Sequence, residues 1–382
     1  MPMTCDLCRC TALEHAYAPE NAARRQVWLC THCGLLQSVP RERLTGTAQR
    51  RSHMRHAKAF RAEANLATLQ PFLNKSKPLR VLDIGAHRGT FGLELKAAYP
   101  KATIIGIEPD ERLVATWARK PGFTWLNARF EDTRLEDEGF DLIYSCHTLE
   151  RLKSAREALL AHRAALAPGG YLLIEVPDVG HIAARDIVDE FFVEKHLYHF
   201  SRRTLIRLLG VCGLRAVTIA DTRDTASLTV VAVKGDEPRL AVPADRQEVE
   251  AAAALISIYR ASRKQNLSEL SNVARTIDAM APRTVAVWGA GRLLGNLIEN
   301  GGLKAQSLAA IIDRNLARHT NEAHGVALSP PEVLARLKPD IVVVLSRSQE
   351  RDIRLEAEAH VPGAEVIAYA ELLERAKTHA AA

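Results

Sequence analysis

Four of the chain's seven cysteines form two C-x-x-C pairs, Cys5 with Cys8 and Cys30 with Cys33, with 21 residues between Cys8 and Cys30. Two such knuckles can enclose one ion in four thiolates, each sulfur about 2.3 Å from a tetrahedral Zn2+. An iron centre or a redox dithiol would use the same residues. A closed four-sulfur shell leaves no position open for a substrate, so the expected metal is a structural zinc. Cys10 is a spare thiol beside the first knuckle, and Gly34 follows the second where a tight turn needs a permissive backbone.

A second group begins where the apolar run Val81-Leu82-Asp83-Ile84 enters Gly85-Ala86-His87-Arg88-Gly89-Thr90-Phe91. Gly85 and Gly89 let the backbone approach a ligand closely, and a helix start there offers free N–H groups. Glu108 closes the next apolar run, where an acidic side chain could accept both hydroxyls of a ribose. Asp141 opens a further run that ends at Ser145-Cys146-His147, and Pro168-Gly169-Gly170 turns the chain before the next. Then Glu194-Lys195-His196-Leu197-Tyr198-His199-Phe200-Ser201 places two histidines and a glutamate within six residues, ahead of a helix capped by Ser201. Imidazole titrates near neutrality and can remove a proton from a hydroxyl or an acidic C–H. The alternative use of His199 and Phe200 is to pack this loop onto the domain.

The elements that must position these groups alternate. Strands are expected at Leu79–Ile84, Thr103–Glu108, Phe140–Cys146, Tyr171–Val176 and Ser227–Val233, with helices such as Phe91–Ala98, Ala155–Leu166 and Arg202–Val211. Such alternation implies a mostly parallel sheet covered on both faces. Gly235-Asp236-Glu237-Pro238 punctuates the chain, 246–280 reads as one or two long helices, and Pro282 stops them. A second alternating region has strands at Thr284–Trp288, Ser307–Ile312, Asp340–Leu345 and Ala364–Ile367, with helices Arg292–Asn300, Pro331–Leu337 and Tyr369–Lys377 between them. It opens with Gly289-Ala290-Gly291, one residue longer in its glycine spacing than the usual dinucleotide pattern, and Asp313 ends its second strand. The organisation expected is a zinc-binding module at 1–50, an α/β domain at 51–235, a helical connector at 236–282 and a second Rossmann-like domain at 283–382.

With 382 residues, two or three domains are expected. No apolar run is long enough to span a membrane, and the first residues lack a basic region followed by an apolar stretch. A soluble cytoplasmic protein is the expectation. The net charge of +6 suits an anionic small substrate as well as nucleic acid. Its densest groups, Arg24-Arg25 and Arg50-Arg51 through Arg55, read as solvated basic faces.

The Asp83–Phe91 loop, Glu108, the strand ending at Cys146-His147 and the Pro168-Gly169-Gly170 turn follow one another over about 155 residues. In this the segment resembles the class I S-adenosylmethionine-dependent methyltransferases. A dinucleotide-binding dehydrogenase would carry G-x-G-x-x-G, which 85–90 lack. The resemblance implies that Asp83, Gly85, His87, Gly89 and Phe91 surround the methionine part of S-adenosyl-L-methionine and that Glu108 holds the ribose. Phe130, within Ala128-Arg129-Phe130-Glu131, would flank the adenine, and Cys146 would border the cofactor.

Taken whole, with Gly289-Ala290-Gly291, Ile312-Asp313-Arg314-Asn315, Ser329-Pro330-Pro331-Glu332 and Lys338-Pro339-Asp340, the chain resembles the three-domain sugar C-methyltransferases. That resemblance implies a nucleotide-linked keto-deoxysugar as substrate, proton abstraction beside its ketone, and attack of the enolate on the sulfonium methyl. It also implies a C-terminal domain that helps to seat the nucleotide. The family's loop typically reads Tyr/His-x-Glu-His-x-x-Tyr-Phe-Ser. Here His196 takes the histidine's place as base, Lys195 the glutamate's and His199 the aromatic's, while Glu194 stands one position early. Leu149-Glu150-Arg151 departs likewise from a common Leu-Glu-His. His196, His199, Glu194 and His147 are the catalytic candidates. Two other readings stay open: O- or N-methylation of another small metabolite, and a zinc-ribbon nucleic-acid binder or RNA-modifying protein. Against the last, aromatic residues are only 5% of the chain and no basic-aromatic cluster offers bases a platform.

Overall fold

The computed structural model describes residues 3–19, 25–41, 55–114, 120–135, 139–183, 190–220, 226–239, 241–314, 316–318, 321–346 and 349–381. Of 55–60, 292, 318 and 378–381 it describes the backbone alone. Arg24, Arg50, Arg51 and Asn315, singled out above, lie outside the described residues, as does the side chain of Arg55. The chain divides into two compact units, the first holding 1–182 and 190–257 and the second 183–189 and 258–382. Residues 1–50 and 236–257 thus belong to the same unit as the first α/β region.

The cysteine region is a small antiparallel sheet of β1 (Leu13–Tyr17), β2 (Gln26–Cys30) and β3 (Leu36–Val39). Each C-x-x-C pair is a tight turn at its end, closed by Arg9 N donating to Cys5 O and Gly34 N donating to Cys30 O, both at 2.9 Å. Gly34 sits at φ +81, where a β-carbon would also run into Glu248. A fourth strand arrives from far along the chain. Tyr198–His199 pairs antiparallel with β3, Leu36 opposite His199 and Gln37 opposite Tyr198.

The larger sheet is built as the alternation predicts. Helix α1 (Arg55–Leu69) leads to β4 (Arg80–Ile84), α2 (Thr90–Ala98), β5 (Thr103–Ile107), α3 (Glu111–Val114), β6 (Phe123–Leu126) and β7 (Phe140–Cys146). After these come α4 (Ala155–Ala165), β8 (Leu166–Pro177), the two-residue strand above as β9, α5 (Arg202–Val211), β10 (Leu214–Ala220) and β11 (Ser227–Lys234). The strand order is β10-β11-β8-β7-β4-β5-β6, with β4 to β8 mutually parallel and β11 antiparallel to both neighbours. Adjacent residues of a buried strand serve opposite faces. Leu82, Ile84, Ile143 and Ile174 enter one core and Val81, Leu142, Tyr144 and Leu173 the other. Chain order reverses between β4 and β7, and a ligand crevice is expected outside the carboxyl ends of those strands. Strand β8 starts at Leu166, five residues earlier than expected, because Leu166 pairs with Phe140 through an irregular register before Tyr171 pairs with Leu142.

The cysteine sheet shares the first of these cores: Leu7, Leu35, Cys30 and Cys33 lie in one apolar cluster with Leu149, Leu152, Leu205 and Leu209. Asp6 fixes the junction. Its fully buried carboxylate accepts from Ser154 Oγ at 2.9 Å, Arg156 N at 2.9 Å and Arg41 Nη1 at 3.3 Å. Arg156 reciprocates by donating to Leu7 O at 2.9 Å.

Helix α6 (Arg246–Asp278) is a single helix of 33 residues. Beyond it come β12 (Val285–Trp288), α7 (Arg292–Glu299), β13 (Ala310–Ile312), β14 (Glu322–Ala323), β15 (Val326–Ser329), α8 (Val333–Leu337), β16 (Ile341–Val344), α9 (Glu350–His360), β17 (Glu365–Ala368) and α10 (Tyr369–Ala381). Their sheet runs β14-β15-β13-β12-β16-β17, parallel except at β14, and is the second Rossmann-like sheet that the glycine turn at 289–291 foretold.

Replacing Asp6 by alanine leaves the buried Arg156 amide and two further donors without their acceptor. A loss of about 2–4 kcal/mol in urea unfolding is expected, with Asp6→Asn recovering part of it. A loss no larger than that of a surface substitution would show that the junction does not rest on this carboxylate.

Candidate active site

Asp83 is the fourth residue of β4 and 2% exposed. The turn after it coils through left-handed backbone at Gly85 (φ +72), His87 (φ +52) and Gly89 (φ +65), the last being the N-cap of α2. Gly85 N and Ala86 N donate to Ile107 O at 2.9 and 3.1 Å, tying the turn to the end of β5. A β-carbon at Gly85 would lie 2.2 Å from Thr148 Oγ1, which itself donates to Ile84 O and Cys146 O. Glu108 does not simply project into the crevice: Oε2 accepts from His87 N at 2.8 Å and Oε1 from Asp110 N at 3.0 Å. Burial, and then the charge of Glu108, push the Asp83 carboxyl up to about 8. Glu108 is raised by burial against the pull of its two amides. Two carboxyl groups crowded at one turn favour a ligand that brings a positive charge and hydroxyl donors.

The other residues expected around a cofactor divide. Phe91 stacks on Tyr144 with ring centroids 3.5 Å apart, deep in the α2 side of the core. Phe130 begins a short 3-10 turn after β6 and packs against His162 at 4.8 Å. Cys146 ends β7, and its thiol donates to Glu175 Oε2 at 3.3 Å; burial and then Glu175 raise it well above the ordinary thiol range.

A polar cluster lies at the carboxyl ends of β7 and β8. His147, at φ +49, sets Nε2 3.3 Å from Glu175 Oε1 and Nδ1 3.9 Å from Glu150 Oε1. Glu175 also meets Arg61 Nε at 2.8 Å and accepts from Asn65 Nδ2 at 2.7 Å. Burial pushes its carboxyl up, and His147, Arg61 and Asn65 together outweigh that, bringing it to about 2. His196, in the loop after β8, places Nε2 3.6 Å from Glu150 Oε1. Burial, then Arg151, His199, Lys195 and His147, hold it well below the usual histidine range. His147 and His196 are thus brought to one carboxylate, and that carboxylate is not Glu194. Glu194 instead acts electrostatically on buried Arg25. His199 faces the cysteine sheet, its Nε2 sharing a 2.8 Å hydrogen bond with Ser38 Oγ and its ring meeting Phe192 edge-on.

Glu150, Glu175, Arg61 and Asn65 are the members that sequence reasoning did not assign to the site. Glu175 had a signal, a lone carboxylate inside the apolar run Tyr171-Leu172-Leu173-Ile174-Glu175-Val176. Arg61 and Asn65 are four apart on α1 and carry no pattern of their own.

Two groups among the described residues bring metal-ligating atoms together: Cys5, Cys8, Cys30 and Cys33, and Cys146, His147 and Glu175. In the first, Cys5 Sγ lies 3.5 Å from Cys33 Sγ and Cys8 Sγ 3.5 Å from Cys30 Sγ. A tetrahedron with 2.3 Å arms has edges of about 3.8 Å, so the four thiols fit a zinc ion. Cys10 Sγ stands 3.3 Å from Cys8 Sγ. In the second group the glutamate already serves a guanidinium and an amide, which a cation would have to displace.

In the second unit, Asp313 does for its turn what Glu108 does for the first: Oδ2 accepts from Ala290 N at 3.2 Å and Oδ1 from Leu316 N at 2.9 Å.

Residues 52–219 match the family model of a methyltransferase domain. The tRNA U34 carboxymethyltransferase of Syntrophotalea carbinolica is 28% identical over 122 residues, which span 30% of this chain and 37% of that protein. The trans-aconitate 2-methyltransferase of Deinococcus radiodurans is 30% identical over 112 residues, 28% of this chain and 42% of that protein. A solved structure of 1,6-didemethyltoxoflavin-N1-methyltransferase from Burkholderia thailandensis, bound to S-adenosylhomocysteine, aligns with a TM-score of 0.38 and 16% identity over 58% of this chain and 100% of its own. The chain spans about two fifths of the length of the curated relatives it matches. Residues 52–219 are thus similar to a methyltransferase domain, and they carry most of the seven-stranded sheet of order β10-β11-β8-β7-β4-β5-β6. No helix of the described residues is long and apolar enough to cross a membrane.

His162 and His199 are both buried, and burial lowers each to about 3. Unfolded, each takes up a proton near 6.5, so the unfolded state binds more protons below that pH and stability falls with it. The expected slope is about 1.4 kcal/mol per pH unit for each histidine. His196 pulls the same way and Asp83, raised to about 8, the opposite way, so the readout is the difference between wild type and His162→Leu. Urea unfolding at pH 7, 6 and 5 should show that difference shrink by about 1.4 kcal/mol per pH unit below 6.5; a pH-independent difference would mean that His162 is not kept neutral.

Proposed function

We propose that this chain methylates carbon in a nucleotide-linked keto-deoxysugar, with His196 taking the proton beside the ketone. The observation that carries this reading is the placement of the His196 imidazole, little exposed, beside a wholly buried carboxylate at the strand ends where the crevice opens. S-adenosyl-L-methionine, when bound, supplies an electrophilic methyl on a sulfonium. Asp83 and Glu108, with the turn between them, would hold its amino-acid and ribose parts, since a cationic ligand offsets the crowding of two carboxyls. His196 removes the proton, the electron pair of the broken C–H bond stays on the sugar as enolate, and the enolate carbon would take the methyl as its bond to sulfur breaks, the sulfonium leaving as a neutral thioether. Loss of charge from the imidazole through burial suits a group that must be neutral before it can act as a base. Zinc in the four-cysteine cage is part of the proposal, as a structural ion that holds β1, β2 and β3 and, through β3, the strand that follows His196.

The test is incubation in D2O with a panel of nucleotide-linked 4-keto-6-deoxysugars, read by mass spectrometry with and without S-adenosyl-L-methionine. Methylation with deuterium entering beside the ketone in the absence of cofactor is expected, and His196→Ala should abolish both while leaving cofactor binding intact. Methylation without exchange would assign an oxygen or nitrogen acceptor. Inactivity on every sugar while cofactor binds would move the acceptor outside the sugar nucleotides.

Native purification should yield one zinc per chain by elemental analysis. Removing it with a chelator, or replacing Cys33 by serine, should lower the melting temperature and turnover together. A chain that is metal-free and fully stable would count against the zinc assignment.

A further inference from the structure

We infer that Glu150 is the positioning residue for His196, fixing which imidazole nitrogen faces the substrate; the inference rests on reading His196 as the base. Glu150 lies in the turn after β7, 46 residues before His196, and is 0% exposed. It meets the loop at two points. Its main-chain oxygen accepts from Leu197 N at 2.6 Å, and its Oε1, which accepts from Arg151 Nε at 3.2 Å, faces His196 Nε2 at 3.6 Å. Glu150 Oε2 and His196 Nε2 are both buried and without a hydrogen-bond partner among the described residues. A buried carboxylate with an open oxygen is costly, and a proton on His196 Nε2 facing that carboxylate offsets part of the cost. Hydrogen bonds to catalytic groups are commonly long before substrate binds and tighten in the complex.

The other charges around this imidazole do not replace Glu150. Arg151, Lys195, His147 and His199 are cationic or neutral groups that oppose its protonation. Glu175 is engaged by Arg61 and Asn65. Lys195 occupies the place where the resemblance puts a carboxylate next to the base, and Glu150 brings one from a different segment. With Nε2–H directed at Glu150, Nδ1 keeps its lone pair and is the nitrogen that accepts the substrate proton. After transfer, Glu150 faces an imidazolium whose charge it steadies.

The tautomer is the readout, since the hydrogen bond made by one ring nitrogen decides which nitrogen carries the proton. The full-length chain with 15N-histidine, at neutral pH and without any ligand, gives both ring-nitrogen shifts of His196, assigned by their disappearance in His196→Asn. A single Nε2–H form is expected in the wild type. Glu150→Leu should give a mixture of both forms, with unchanged cofactor affinity by calorimetry. On any sugar that the wild type methylates, kcat should fall about tenfold or more with KM unchanged. Should Glu150→Leu fail to fold, Glu150→Asp, shorter by one methylene, should weaken the same preference in part. An Nδ1–H form in the wild type, or a tautomer untouched by both substitutions, overturns the inference. Normal turnover by His196→Ala overturns instead the base reading beneath it, and the two failures come from separate measurements.

Discussion

Of the described residues after β8, the stretch 190–197 carries His196 and holds no helix or strand of its own, and what fixes it is strand pairing. Leu36 and Gln37 of β3 pair with Tyr198 and His199. Ser38 N donates to Leu197 O at 2.8 Å, and Tyr198 OH donates to Lys153 O at 2.6 Å. A strand of two residues cannot persist alone; it exists because the cysteine sheet offers an edge and the buried side chains of Tyr198 and Phe200 anchor its flanks. The position of the imidazole is therefore set by residues at both ends of a long stretch of chain. Asp6, locking the cysteine sheet onto Ser154 and Arg156, is the hinge pin of that arrangement.

Both α/β units solve one local problem in the same way. A turn at the end of a first parallel strand leaves amides pointing into space, and an acid from the end of the second strand accepts from them: Glu108 from His87 N, Asp313 from Ala290 N. In dinucleotide-binding folds an acid at this place meets a ribose hydroxyl; in this chain both acids already shape the turn beside them. An acid that already shapes its turn costs a ligand little to engage, because the backbone is preorganised.

How much could be read from the chain alone follows the range of the forces involved. Strand β7 and helix α5 fall on the expected residues because their signals are local: an apolar run bounded by Gly139 and His147, and a Ser201 whose side chain and that of Thr204 cap each other's backbone. Strand β6 (Phe123–Leu126) escaped because only four half-exposed residues form it. The pairing of β3 with β9 spans about 160 residues and leaves no periodic trace. The site divides similarly. Asp83, Gly85, Gly89 and Glu108 sit at the ends of recognisable elements. Glu150 is brought to His196 only by the fold, whereas Glu194, two residues away in sequence, supplies its charge to Arg25 instead.

Thr148 fills the space that a side chain at Gly85 would need, and the same hydroxyl grips the carbonyls of Ile84 and Cys146. The first turn and the end of β7 are consequently one mechanical body rather than two walls that move apart. Tightening at the glycine turn carries His147 and Glu150 with it through two residues of chain. Whatever orders the glycine turn therefore bears on the end of β7 as well, and two ligands meeting there would have linked affinities.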